Sequence, residues 1–360
     1  MTRGEGVFGS QLQLFSGGLE MKRFWRSSVL ALAIALSTHP AAAQDKPEVS
    51  KLRLAVGGKS AIFYLPLSVT ERLGYFKDAG LEVEIADVQS GARALQSLVG
   101  GSAEIGIGTF DHTIQMQAKS QPVVAVTQYG RYPGFVLGTI ASKSINYVGP
   151  QSLKGLRIGV TSPGSSTHFM AAYMLVRSGL KADDASFVGT GVTSTAVAAA
   201  RRGEIDAIVS SDPMMSLMQS ESLVKVVADT RTLEGTKSVY GGPYPGGVVY
   251  TTPAFIEKNP RTVQAVVTAF VRALKWMAAH SAEDIAKAMP EEYALGNRDI
   301  YVRALVASRA MYSPDGRFVP GAAETAHQVL KVFDPSVAGV TIDLSKTHTG
   351  AFVEKALADN

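Results

Sequence analysis

A chain of 360 residues, 46 % apolar and 18 % charged, can bury one large core or two moderate ones, which excludes global disorder. Its 35 Lys and Arg against 31 Asp and Glu give a formal charge of +4, and no basic cluster interleaved with aromatics occurs, so nucleic acid is not an expected partner. Cysteine is absent, which excludes disulfides, thiolate metal sites, a cysteine nucleophile and a lipid-modified N-terminal cysteine; none of the six histidines forms an H-x₃-H or H-E-x-x-H pair, so neither metal nor cofactor is expected.

The N-terminus reads as an address. From Met21, the basic residues Lys22, Arg23 and Arg26 precede the apolar stretch Val29 to Leu36 and then Ala41-Ala42-Ala43, the order of a signal peptide over 21–43 with cleavage near Ala43/Gln44. Residues 1–20 read as a start-site extension. The apolar stretch is too short for a membrane span, so export followed by release is expected. The mature chain keeps 31 basic and 29 acidic residues, a charge of +2 that says little about partners.

Beyond the leader, two similar tracts lie about a hundred residues apart. "LRLAVGG" (Leu52 to Gly58) alternates like a strand and stops at a glycine pair; "LRIGVTSPG" (Leu156 to Gly164) repeats the pattern. A helix-period run follows each, Tyr64 to Leu73 or His168 to Ser178, and then a second strand, "LEVEIADV" or "ASFVGT". A polar loop, an Ala/Leu-rich helix and a third strand complete each unit, in "SGARALQSLVGGSAEIGIGTFD" and "GVTSTAVAAARRGEIDAIVSSDP". Alternating strands and helices imply right-handed crossovers, hence an α/β fold with a mostly parallel sheet flanked by helices in each unit. "GFVLGTIASKS" (Gly134 to Ser144) reads as a crossing strand and "YPGGVVYTTPAF" (Tyr244 to Phe255) as the return; helices follow near Pro260 to His280, Ala282 to Ala288, Ile300 to Met311 and Ala322 to Val332. The expected organisation is lobe 1 over 44–138, lobe 2 over 139–246, and a return to lobe 1 with the C-terminal helices over 247–360.

In such sheets ligands sit beyond the carboxyl ends of the strands. The loops on that edge are Gly57 to Tyr64, Gln89 to Arg93 and Gly108 to His112 in the first unit, and Ser162 to His168, Thr190 to Thr195 and Ser210 to Pro213 in the second. Facing edges would form a cleft. Ser165, Ser166 and Thr167 stand at a predicted helix start, where free N–H groups and the helix dipole favour an anionic or polar ligand; ordinary N-capping is the alternative. His168 either touches ligand or packs. A serine–histidine catalytic pair lacks its G-x-S-x-G elbow here, and "SPGSST" lacks the lysine of a phosphate loop.

Thr193, Ser194 and Thr195 form a second possible cradle opposite Ser90 and Gly91. Phe63, Tyr64, Phe110 and Tyr244 are candidates for an aromatic wall beside Ser60, Gln89 and Thr109; for Phe63 and Tyr64 the alternative is the core face of a helix. Asp111 and Asp212 occupy matching third-strand loops, where each accepts from ligand or caps the next helix, with capping favoured for Asp111. "GGPYPGG" (Gly241 to Gly247) reads as a hinge, with Gly246 and Gly247 supplying freedom, or as a tight approach to the cleft; a surface loop is the alternative. Arg93 and Arg131 are the arginines nearest to these loops.

The export signal, "AIFYLPLSVTERLGYFKDAGLEVEI" (Ala61 to Ile85), "ALQSLVGGSAEIG" (Ala94 to Gly106), "LKGLRIGV", the Ser-Thr-His at a helix start and "PAFIEKNP" (Pro253 to Pro260) together resemble the periplasmic substrate-binding proteins of ABC importers. More narrowly they resemble the nitrate/sulfonate/taurine/thiamine-pyrimidine-precursor group, over essentially the whole mature chain; Leu73 to Val83 is the most specific stretch. The resemblance implies a two-lobed, type II-like fold that closes about two hinge crossings on a small molecule. It further implies periplasmic location, a monomer, delivery to a membrane permease with its ATPase, and no catalysis. Helix-start hydroxyls favour an organic anion, a sulfonate or taurine-like compound first and a pyrimidine or aromatic acid second. An enzyme on this scaffold is the competing class, because fungal thiamine-pyrimidine synthases and chorismate-dehydratase-like proteins resemble it; the former carry a cysteine-rich motif that this chain lacks, and export argues against biosynthetic chemistry.

Overall fold

Alternation in the segment Lys51–Val56 buries Leu52, Leu54 and Val56 while Lys51 and Arg53 stay exposed, and this segment is the first strand, β1, of a computed structural model that describes residues 46–359. The expected leader and the residues before it lie outside the described residues. β1 pairs in parallel with β2 (Glu82–Asp87) on one side and β3 (Ile105–Thr109) on the other. Between these strands run α1 (Leu65–Arg72), α2 (Tyr75–Asp78) and α3 (Gly91–Val99), and α4 (Asp111–Ala118) leads to β4 (Val124–Gln128). The order of the first sheet is β2-β1-β3-β10-β4, with β10 (Gly247–Thr251) inserted antiparallel between β3 and β4.

The second sheet repeats this arrangement. β6 (Arg157–Val160) pairs in parallel with β7 (Ser186–Gly189) and β8 (Ala207–Ser210), while β5 (Val136–Ile140) lies antiparallel between β8 and β9 (Val224–Asp229). Its order, β7-β6-β8-β5-β9, matches that of the first sheet when β5 is equated with β10. The segments read as crossing strands are therefore each the antiparallel member of a sheet. α5 (Ser166–Arg177), α6 (Ser194–Arg201), α7 (Met214–Ser220) and α8 (Leu233–Tyr240) cover the second sheet and its connections.

The chain passes between the sheets twice, and the two passages touch. The amides of Tyr129 and Gly130 both donate to the Gly247 carbonyl at 2.9 Å, and the Gly246 amide donates to Gly130 at 3.0 Å. A Cβ on Gly247 would overlap the Tyr129 ring and one on Gly246 the Tyr132 carbonyl, and neither glycine has a left-handed backbone. Close approach between the two passages, one of the two readings of "GGPYPGG", explains both glycines, and left-handed freedom does not.

Beyond β10 the chain is helical: α9 (Pro253–Lys258), α10 (Pro260–Ala279), α11 (Ala282–Ala288), α12 (Arg298–Ser308), α13 (Ala322–Phe333), α14 (Pro335–Ala338) and α15 (Ala351–Ala358). α10 buries Val263, Val266, Val267, Phe270, Val271 and Leu274 at helical spacing against α1, α2 and α15. Each such side chain contributes about 1.5–3 kcal/mol when fully buried. α13 packs on both α4 and α5, so the C-terminal helices touch elements of both sheets rather than the first alone. Among the described residues no helix is long and apolar enough to cross a membrane.

Candidate functional site

The carboxyl ends of β1, β3, β6 and β8 converge on one small cavity of about 30 Å³, room for about one water. Gly57 and Thr109 line it from the first sheet, Thr161 and Ser211 from the second, with Ser165, Ser166 and Thr167 at the start of α5 and Gly91 at the start of α3. A Cβ on Gly57 would collide with the backbone of Ser90 and Gly91, so glycine is what lets the end of β1 abut the start of α3. Phe63, Tyr64 and Phe135 form the aromatic wall, Phe63 stacking on Phe135 at 5.5 Å and meeting Tyr64 edge-on at 4.8 Å.

Polar contacts join the two edges here. The Thr109 and Ser166 hydroxyls each donate to Asp111 Oδ1 at 2.7 Å and touch one another, and the Tyr244 hydroxyl donates to Oδ2 at 3.0 Å. A carboxyl that is 1 % exposed is thus solvated by three hydroxyls from both halves of the fold. Burial first, and then the charge of Asp111, raises the Tyr244 pKa well above its ordinary value, so Tyr244 stays a donor. Asp111 is the first residue of α4 and follows Phe110, which makes no side-chain cap; the carboxyl bridges the edges instead of capping, as the sequence had favoured.

On the other wall, Thr161 Oγ1 donates to Ser165 Oγ at 2.7 Å, which donates to the Ser162 carbonyl at 2.7 Å, while the Thr161 amide donates to Thr167 Oγ1 at 3.0 Å. Ser165 stands at the N-cap of α5, yet its side chain makes no capping bond. The hydroxyls therefore bind one another and the loop, and the amides of the first turn of this 12-residue helix keep the partial positive charge of a helix N-terminus beside the cavity.

His112, beside Asp111 on α4, also lines the cavity; it is 1 % exposed and, among the described residues, neither ring nitrogen makes a hydrogen bond of good geometry, although the Gly164 backbone lies near enough to act on the ring. Burial lowers its pKa, opposed by the Asp111 charge and the Gly164 backbone, so the neutral ring with one donor and one acceptor is favoured. An unpaired buried polar group costs about 1–3 kcal/mol, which makes His112 the group at this site most in need of a partner.

The structure thus gathers Phe63, Tyr64, Thr109, Ser165, Ser166 and Thr167 around one cavity and adds His112, Phe135 and Ser211, which sequence reasoning missed. His112 stood at the end of the loop Gly108 to His112, and nothing in the local pattern separated it from a packed histidine. Other candidates lie elsewhere. His168 accepts from the Gly164 amide at 3.1 Å and its ring sits 4.2 Å from that of Phe187, so it packs. Phe110 turns away toward Phe318 and His348, and Tyr244 stacks on Tyr240 at 4.0 Å, one layer behind Asp111. Ser90 caps α3 by accepting from the Arg93 amide at 3.3 Å. Gln89 and Ser194 are exposed, Ser60 is half-buried, and neither Ser60, Arg93 nor Arg131 lines the cavity.

Asp212 is occupied. Its Oδ1 accepts from the Ser216 amide and hydroxyl at 3.0 and 2.7 Å, and its Oδ2 from Arg231 and Ser308 at 2.9 Å each. Arg231 also binds Asp229. Burial acts to lower the Arg231 pKa, but the hydrogen bonds and charges of Asp229 and Asp212 outweigh it and raise the value. This carboxylate anchors the second sheet to α12 rather than facing the cavity.

The sequence model of the NMT1/THI5-like family matches residues 63–284. A solved structure from Bordetella bronchiseptica RB50 is 43 % identical, with a TM-score of 0.84 over 87 % of this chain and 99 % of that one. The alkanesulfonate-binding protein SsuA from Xanthomonas axonopodis pv. citri, bound to MOPS, is 18 % identical with a TM-score of 0.65 over 84 % and 99 % of the two chains. The periplasmic nitrate-binding protein NrtA from Synechocystis is 14 % identical with a TM-score of 0.67 over 87 % and 89 %. The fold is that of the periplasmic binding proteins. YtlA of Bacillus subtilis, named as a candidate binding protein, is 24 % identical over 76 % of this chain and 81 % of its own. A 4-amino-5-hydroxymethyl-2-methylpyrimidine phosphate synthase of Saccharomyces cerevisiae is also 24 % identical, over 64 % and 67 %.

Proposed function

The chain belongs to the NMT1/THI5-like family, and on that premise we propose that it is the periplasmic solute-binding component of an ABC importer, capturing a small organic molecule between its two sheet edges and delivering it to a membrane permease with its ATPase. The observation that carries the reading is His112, a buried imidazole without a well-formed hydrogen bond, inside a cavity built from both edges. A cavity of about 30 Å³ admits no organic solute, so binding requires the edges to separate and reclose. Contacts made only in the closed state, such as Ser166 to Asp111, would then shift the population toward the form that docks on the permease.

The ligand class we favour is an organic anion of sulfonate or taurine type, its charged group at the start of α5 and its body against Phe63, Tyr64 and Phe135. A pyrimidine is the second reading, favoured by Thr109 and neutral His112 beside that aromatic wall, which suit a flat ring bearing N–H donors and a ring acceptor. An importer component binds without turnover, whereas a synthase of the kind found in yeast consumes its substrate.

Thermal-shift screening of the mature chain against sulfonates, nitrate, aromatic acids and pyrimidines tests the reading. A ligand at a hundredfold excess over its Kd should stabilise the fold by about 2.7 kcal/mol. Small-angle scattering should show contraction with that ligand and no product should form; tight binding without contraction, or conversion of the ligand, overturns the proposal.

A further inference from the structure

Behind the first passage between the sheets lies a second cavity, of about 260 Å³, remote in sequence from the loops of the cleft. The ends of α10, α11 and α12 supply an apolar lining, including Leu274, Met277, Ile285 and Leu305. Two guanidinium groups, Arg131 and Arg309, share this lining, and no acidic residue does. Arg131 donates through Nη2 to the Ala310 carbonyl at 2.9 Å, while its Nε is buried with no partner. Among the described residues Arg309 meets only the carbonyls of Met277, Ala278 and His280 at the end of α10. Among the described residues neither arginine has an ion pair, and the carboxylate of the adjoining turn, Asp315, is taken by Arg317 at 2.9 Å.

We propose that this cavity is a second ligand site, for a small amphipathic monocarboxylate whose apolar body fills the lining and whose carboxylate lies between Arg131 and Arg309. Two guanidinium groups without counter-charge beside an apolar chamber match that chemistry: the carboxylate gives the two cations a shared counter-charge, and the chain or ring replaces water on the aliphatic wall. A sugar would leave hydroxyls unpaired against leucine and isoleucine. The site is also placed to sense the hinge. The Arg131 amide donates to the Met311 carbonyl at 2.6 Å within the first passage, and Tyr312, another lining residue, donates through its hydroxyl to the Ile62 carbonyl, next to Phe63, at 2.6 Å.

Trp276 is the tryptophan of the described residues; it stacks on His280 at 4.1 Å, and Arg309 binds the His280 carbonyl, so its fluorescence reports on this corner. Octanoate and benzoate, each paired with its alcohol, are titrated into the mature chain. The expected result is a saturable Trp276 response to the carboxylates, at least tenfold weaker for the alcohols, at least tenfold weaker in Arg131→Gln, and unchanged in Ser166→Ala. Because Arg309 also binds the end of α10, Arg309→Gln is read only beside Ala282→Phe, which fills the cavity, keeps both arginines and should abolish the response in a chain whose circular dichroism is unchanged. Absence of a saturable response, equal binding of alcohol and acid, retention of binding in folded Ala282→Phe, or loss of binding in Ser166→Ala overturns the proposal; the last outcome moves the carboxylate to the cleft and leaves the importer reading standing.

Discussion

Asp111 and Asp212 end equivalent third strands in two sheets of the same order, yet their surroundings are opposite. Asp212 meets a guanidinium, the start of α7 and a serine hydroxyl from α12 in a buried, charge-paired cluster. Among the described residues Asp111 meets only hydroxyls, one of them donated by Ser166 from the opposite sheet's helix, with the buried His112 imidazole beside it. A carboxylate with a fixed countercharge holds a fold together. One solvated by movable hydroxyls across two edges can be uncovered and covered again, which is what closure on a ligand requires.

The largest effect should come from Asp212→Ala. It strands Arg231, whose side chain is 11 % exposed, and urea denaturation should show a loss of about 3 kcal/mol, softened by the remaining pair with Asp229. If the loss matches that of an exposed pair, below about 1 kcal/mol, the contrast between the two carboxylates collapses. Asp111→Asn should cost less, about 1 kcal/mol, because Asn still accepts; its main consequence should be a more open distribution in small-angle scattering, and an unchanged distribution with a large stability loss would make Asp111 merely structural.

Acid should act in the same sense. Burial lowers the pKa of His112 and of His168, so the unfolded chain takes up protons first as pH falls below about 6.5, and stability should drop from there toward pH 5. His112→Phe should remove part of that pH dependence, measured as denaturant midpoints at pH 7 and pH 5. The smallest effect belongs to Ser194→Ala, whose exposed side chain should change stability by less than about 0.5 kcal/mol and ligand binding not at all.

The legible parts of this molecule were those set by periodicity. Leu52, Leu54 and Val56 announced β1, the glycine-ended helices announced the crossovers, and the hydroxyl run at Ser165–Thr167 marked the start of α5. The site was legible where loops leave the strand ends and enter the following helices: Thr109 after β3, Ser165 to Thr167 at the start of α5, and Phe63 and Tyr64 after the glycine pair that ends β1. Which of two matching aspartates would find an arginine depended on Arg231, 19 residues beyond Asp212 and on another strand's end, a pairing that no local pattern encodes. His112 escaped for a related reason: a partnerless ring differs from a packed one only by what the rest of the fold fails to provide.

The central claim, that the cleft between the two edges binds a small organic solute through His112, is met most directly by isothermal titration of the sulfonate and pyrimidine panel into the wild-type chain and into His112→Phe. The account predicts that one class binds the wild type and binds the variant at least tenfold more weakly, while the variant without ligand is as stable as the wild type or more so, since an unpaired polar ring has been removed. Equal affinity in a folded variant would contradict it.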